Sequence, residues 1–155
     1  MDDLLELINS LVEEKADIYI TEKFTREKEA ECLLKVLRRL ERDEQFLLVA
    51  EVDKKVIASS AFQIQGGTEE RIGAIGIIVR NGYRNLRIGT EIMKTILEQA
   101  AFFGLRNVTV NPFATNKRAI HVYEKVGFVQ SGIIPKKHLR QGVFIDEVIM
   151  SKPGM

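Results

Sequence analysis

The stretch that most constrains what this chain can fold into is Gly73 to Gly89, GAIGIIVRNGYRNLRIG. An apolar run of β type (Ile75, Ile77, Ile78, Val79) passes through a turn at Arg80-Asn81-Gly82 into Tyr83-Arg84-Asn85-Leu86-Arg87-Ile88-Gly89, and a helical period follows. The order is strand, basic loop, helix N-terminus. Such an end presents unpaired backbone N–H groups and the positive pole of the macrodipole, so it holds an anion without a dedicated side chain. Arg84 and Arg87 bring positive charge to the same spot, and a pyrophosphate is the natural guest. Taken alone, the stretch fits a phosphate site and a solvated connection equally well.

A second stretch follows at Asn111 to Phe128. Asn116 is a good N-cap, Ala119, Ile120, Tyr123 and Val126 fall at helical spacing, and Gly127 suits the position just past a helix end.

Together the two stretches resemble motifs A and B of the GNAT family of acetyl-CoA-dependent N-acetyltransferases. Motif A reads Gln/Arg-x-x-Gly-x-Gly/Ala after a strand ending in Val, and the chain has Val79 and then Arg84-Asn85-Leu86-Arg87-Ile88-Gly89. Motif B reads Asn-x-x-Ala-x-x-x-Tyr-x-x-x-Gly-Phe, and Asn116, Ala119, Tyr123, Gly127 and Phe128 fill every position. One departure stands in motif A, where Arg87 replaces the first glycine. With ordinary helical dihedrals its Cβ is accommodated, and the long side chain swings away from the phosphates or folds over them.

The resemblance implies acetyl-CoA as co-substrate and an amine of a small molecule or a protein as acceptor, attacked directly in a ternary complex. It implies that the family's fourth and fifth strands splay apart and that the backbone of Ile77, Ile78 and Val79 binds the pantetheine arm. The other coenzyme-binding positions it implies are Arg84, Asn85, Leu86, Arg87, Ile88, Gly89 and Thr90, with Asn111, Asn116, Ala119 and Tyr123. Tyr123 falls where the family carries a tyrosine beside the coenzyme sulfur, able to assist the leaving thiolate. A general base is less clear: Asn111 cannot take a proton, and Glu51, Glu69, Glu70, Asp146 and Glu147 are expected to be solvated surface groups. His121 and His138 are weaker candidates. The alternative is a CoA-binding domain without catalysis, favoured by Arg87 and by the missing carboxylate.

Composition bounds the rest. At 155 residues and 45% hydrophobic, the chain is expected to form one domain over residues 1–155. A formal net charge of +1 gives no nucleic-acid or membrane-surface signature. The single cysteine, Cys32, forms no internal disulfide and with two histidines makes no zinc set, so no metal is expected. No apolar run approaches a membrane span, the Met1-Asp2-Asp3 start is unlike a signal peptide, and the expected compartment is the cytoplasm. A homodimer is left open. No Gly-x-x-x-x-Gly-Lys-Ser/Thr supports a nucleotide P-loop.

In chain order, Asp2 or Asp3 starts a helix with Leu4, Leu5, Ile8, Leu11 and Val12 on one face, where the family usually begins with a strand. Thr25 opens a second helix with Ala30, Leu33, Leu34, Leu37 and Leu40 as its stripe. By resemblance these helices wall the acceptor pocket, and Tyr19 and Phe24 are candidates to line it. Phe46–Val52 and Val56–Ile64 read as a hairpin turning at Asp53-Lys54-Lys55, and Gln65-Gly66-Gly67-Thr68 leads into a strand over Arg71–Val79. A long helix runs from about Arg87 to Phe103 with Ile88, Ile92, Ile96, Leu97 and Ala100 buried, Gly104 stopping it. Asn107–Val110 is a short strand, and Phe128–Ile133 and Val143–Met150 are two more, separated by a basic link carrying Lys136, Lys137, His138 and Arg140. The expected fold is α+β, a mixed, mostly antiparallel sheet flanked by helices, with or without the family's first edge strand. Only the crossover through the long helix is expected to pair its strands in parallel.

Overall fold

The computed structural model describes residues 2–65 and 71–154. Helices α1 (Asp2–Glu13) and α2 (Arg26–Glu41) precede strands β1 (Gln45–Val52), β2 (Lys55–Gln65) and β3 (Ile72–Val79). Then come α3 (Ile88–Phe102), β4 (Asn107–Val110), α4 (Lys117–Lys125), β5 (Val129–Arg140) and β6 (Val143–Pro153). The six strands form one sheet in the order β1-β2-β3-β4-β6-β5. Every neighbouring pair is antiparallel except β3 and β4, the two joined through α3. The expected mixed α+β sheet is present, and β1 is its edge; α1 is the first described element. Gly66, Gly67 and Thr68 of the expected connection, like Glu69 and Glu70, lie outside the described residues.

The principal core lies between the sheet and α3. Phe62, Ile75, Met93, Ile96, Leu97, Ala100, Val108, Tyr123 and Phe128 are buried together there. Period-two alternation turns Ser59, Ala61 and Gln63 of β2 away from Phe62, and α1 packs on that opposite side with Leu7 and Leu11 buried. Helix ends follow the sequence: Thr25 caps α2 by accepting from Lys28 N at 3.2 Å, and Gly104 stops α3 at φ +73.

Four local expectations need correction. On α1 the buried positions are Leu11, as expected, and Leu7, which lay outside the expected stripe, while Leu4, Leu5, Ile8 and Val12 are only partly buried. On α2, Leu34 and Leu37 are more than half exposed and the inward carboxylate Glu29 is buried; the helix packs chiefly on β1, which leaves part of its apolar stripe uncovered. The β1–β2 turn has two residues, Asp53 and Lys54, both at positive φ, with Val52 opposite Lys55; this conformation matches the right-handed twist of a hairpin.

The fourth correction matters most for the site. The basic stretch is not a link but part of β5, which continues to Arg140 and turns into β6 at Gln141-Gly142. Pro135 has no N–H for the ladder, and the pairing jumps from Ile134↔Glu147 to His138↔Ile145. Lys136 adopts φ +52 in this bulge and its N–H bonds to Asp146 Oδ1 at 2.8 Å. A bulge re-aims side chains that strict alternation would send to opposite faces.

The structure places Leu7, rather than Leu4, under the sheet. Leu7→Ala is expected to destabilise the fold by about 2–5 kcal/mol and Leu4→Ala by clearly less, as measured by denaturant unfolding.

Candidate active site

The parallel pairing of β3 with β4 ends early. It covers Ile72↔Asn107, Gly73↔Val108 and Ala74↔Thr109, after which β3 runs on to Val79 beside β2 while β4 follows β6. The β4-facing backbone edge of β3 beyond Ala74 therefore lacks a partner strand. A cleft of about 1410 Å³ opens at this divergence. Ile77, Ile78, Val79, Arg84, Asn85, Arg87, Gly89, Thr90, Asn111, Asn116, Ala119 and Tyr123 all line it. Leu86 and Ile88 do not, and Leu86 is 61% exposed.

At one end of the cleft stands the start of α3. Its N-cap, Arg87, provides no capping side chain, so the first N–H groups of the helix have no side-chain partner. A Cβ built on Gly89 would meet nothing within 4 Å, which leaves this turn open to close approach. Arg87 does not keep helical dihedrals as expected: it sits at φ +63, ψ 0, and Asn85 also has φ +63. The backbone thus takes the left-handed conformation that glycine adopts readily and an L-residue adopts at a cost. Arg84 is not a free charge. Its guanidinium pairs with Glu14, and its Nε donates to the carbonyl of Val79 at 2.9 Å, fastening the loop to the end of α1.

Asn116 caps α4 as expected, its Oδ1 accepting from Ala119 N at 3.1 Å. Tyr123 is 6% exposed, its ring 5.8 Å from that of Phe128. Burial pushes the Tyr123 phenol well above the ordinary tyrosine value, so it keeps its proton at neutral pH.

The other end of the cleft holds a cluster missing from the sequence reading. Glu147, expected on the surface, is fully buried. Its Oε1 accepts from Asn111 Nδ2 at 3.0 Å and from Lys137 Nζ at 2.6 Å. Its Oε2 lies 2.8 Å from Tyr19 Oη and 2.8 Å from His138 Nε2. Because a carboxylate only accepts, that imidazole nitrogen carries the hydrogen. Burial by itself raises the Glu147 pKa, but the hydrogen bonds from Asn111, Lys137, His138 and Tyr19 outweigh it and hold the group at about 2. The bulge in β5 is what lets the consecutive residues Lys137 and His138 reach one carboxylate. Glu51 is exposed, and Asp146 is engaged by Lys136.

Tyr19 lines the cleft, and its hydroxyl also lies 2.8 Å from the carbonyl oxygen of Asn111. Phe24 does not line it; Asn9 Oδ1 accepts from its N–H at 2.7 Å, and Lys28 lies over its ring. His121 lines the cleft and is exposed. The available signal for Glu147 was its phase: it shares a face with Val143 and Ile145, and four basic or imidazole groups precede the hairpin turn.

Comparison with known proteins decides the family. Residues 5–128 match the sequence model of the acetyltransferase (GNAT) family. The chain belongs to this family. The GNAT chain is 32% identical over 85 residues to a probable N-acetyltransferase camello of Xenopus tropicalis, a match covering 55% of this chain and 39% of that protein. It is 26% identical over 107 residues to an L-amino acid N-acetyltransferase of Escherichia coli (strain K12), covering 68% of this chain and 66% of the relative. The chain thus spans less than two thirds of the length of these curated relatives. In fold, the GNAT domain is similar to a phosphinothricin acetyltransferase of Sinorhizobium meliloti in complex with AcCoA, with a TM-score of 0.87, 16% identity and coverage of 99% of this chain and 82% of that one. No helix among the described residues is long and apolar enough to cross a membrane.

Two outcomes are expected from this geometry. The folded-state pKa of Glu147 lies below the ordinary value of 4.5, so its stabilisation is present above that value and is lost as the pH falls toward about 2. That contribution is on the order of 3 kcal/mol, and in Glu147→Gln the unfolding free energy should be lower at neutral pH and flatter across this window. Arg87→Gly relieves a left-handed non-glycine residue and should raise stability by about 1 kcal/mol, whereas Arg87→Ala, which keeps a Cβ, should not; thermal unfolding of both variants checks it.

Proposed function

We propose that this domain transfers an acetyl group from acetyl-CoA to an amine of a small molecule or protein, by direct attack within a ternary complex. The observation that carries this reading is the early end of β3–β4 pairing. It leaves the β4-facing edge of β3 beyond Ala74 without a partner strand, leading to an uncapped helix start at Arg87–Thr90 in a single cleft. The strand edge can pair with an amide-bearing chain as another strand would, and the helix start can hold a pyrophosphate. Bound there, the coenzyme supplies the acetyl thioester. Open space over Gly89 fits close approach of its phosphates.

In this reading the cleft-facing main-chain groups of Ile77 and the N–H of Val79 orient the arm, Ile78 bonding through its own to β2, and Arg87 to Thr90 hold the anionic end. Asn116 and Ala119 shape the wall on which Tyr123 sits. Tyr123 retains its proton, so its hydroxyl supports the departing thiolate by a hydrogen bond rather than by full transfer. Holding both reactants in one cleft supplies much of the acceleration such a transfer needs. The names of the curated relatives support an amine acceptor, and the reducing cytosol suits the free thiol of Cys32.

The test is coenzyme thiol release with acetyl-CoA and a panel of L-amino acids, polyamines, aminoglycosides and peptides with free N-termini. Amine-dependent release is expected; its absence across the panel, with acetyl-CoA bound, would leave a CoA-binding domain without catalysis. Tyr123→Phe should lower kcat by about 10² or more while acetyl-CoA affinity stays within a few-fold. A loss of stability with unchanged activity per folded molecule would instead make Tyr123 a core residue.

A further inference from the structure

Tyr19 has one hydroxyl proton and two neighbours that can only accept it. Its Oη lies 2.8 Å from Glu147 Oε2 and 2.8 Å from the carbonyl oxygen of Asn111. Glu147 stays ionised between Lys137, His138 and the Asn111 side chain, so it has no proton to return. The Tyr19 proton is therefore committed inward, and what the hydroxyl offers the cleft is an oxygen lone pair.

The ring is also fixed. It meets Phe113 edge-on at 5.6 Å and His138 at 5.2 Å, and His138 stacks on Phe113 at 4.2 Å. Arg140 Nη2 donates to the carbonyl of Ile18 at 2.6 Å, latching the adjoining backbone to β5. With Tyr19 57% exposed and lining the same cleft as Tyr123, this fixed lone pair is accessible from the space where an acceptor must enter.

We propose that Tyr19 receives an N–H of the attacking amine, and that the buried Glu147 is the positioning residue that keeps the Tyr19 hydroxyl turned so that it can. The proposal rests on the acetyl-transfer reading and names a contact within it. An amine N–H finds an acceptor at this spot, whereas a carboxylate oxygen would face another lone pair. Tyr19 thus selects a hydrogen-bond donor and aims the nitrogen's own lone pair elsewhere, toward the divergence of β3 and β4. Glu147 touches no substrate and acts only through Tyr19 and Asn111.

The experiment compares Tyr19→Phe, Glu147→Gln and the double variant in the full chain, with acetyl-CoA and the amine that releases thiol fastest in the panel above. Tyr19→Phe keeps the ring on an exposed loop, so it carries the test even where Glu147→Gln unfolds. Tyr19→Phe is expected to raise the amine KM about tenfold, the scale of one hydrogen bond, with the acetyl-CoA KM within about twofold. Glu147→Gln should act in the same direction, and the double variant should be no worse than the worse single one, because both changes remove one contact. An unchanged amine KM in Tyr19→Phe, an equal rise in the acetyl-CoA KM, or additive effects would overturn the proposal while leaving acetyl transfer standing. Wild-type protein that releases no thiol with any amine overturns both.

Discussion

A carboxylate with no exposure to water, Glu147, is the constraint on which one end of the cleft depends. Removing an ion from water costs several kcal/mol unless donors replace the lost hydration, and losing one partner leaves the charge uncompensated. Glu147 is satisfied by groups from three other segments: Tyr19 between α1 and α2, Asn111 at the end of β4, and Lys137 and His138 in β5. Their convergence fixes how those segments lie against β6. The bulge at Pro135–Lys137 belongs to the same solution, since a regular strand would have delivered one of the two β5 donors and turned the other away.

The second constraint is geometric. At Gly73, β3 lies so close to its neighbours that an added Cβ would stand 2.6 Å from Leu105 Cδ1, yet beyond Ala74 the two parallel strands separate. β4 is drawn off by β6, and this pairing continues past Val110: Val148 N donates to Pro112 O, and Ala114 N donates to Asp146 O, both at 2.9 Å. β3 stays with β2 to its end. The cleft is the space between two strands with different allegiances, and it joins the helix start to the Glu147 cluster.

The two cleft tyrosines are raised in pKa chiefly by desolvation, Tyr19 also by its bond to Glu147, so both are neutral phenols at ordinary pH. Their hydroxyls nevertheless differ in what they present. The Tyr19 proton is taken by two acceptors behind it, whereas burial alone raises the Tyr123 phenol. What each phenol can offer is decided by its neighbours rather than by the residue type.

Patterns carried along one element were legible in the sequence. The strand–loop–helix from Ile75 to Thr90, the Asn116 cap, the Gly104 and Gly127 stops and the single parallel crossover all follow from period, capping and turn chemistry, which act within a few residues. The left-handed Arg87 was hidden because side-chain identity does not report φ where tertiary contacts override preference; the structure puts an arginine where the backbone asks for glycine. Leu34 and Leu37 showed the same limit in reverse, since a helical stripe says which residues share a face but not whether anything covers it. Glu147 was read as a surface carboxylate because charged residues usually are. Its burial depends on four donors that are 9, 10, 36 and 128 residues away and meet only when β4, β5, β6 and the loop after α1 assemble. The sequence by itself determined the strand, loop and helix start at the other end of the cleft, because that frame is built from local order. Tertiary structure alone decided the Glu147 cluster, because a buried charge is permitted only where distant donors converge.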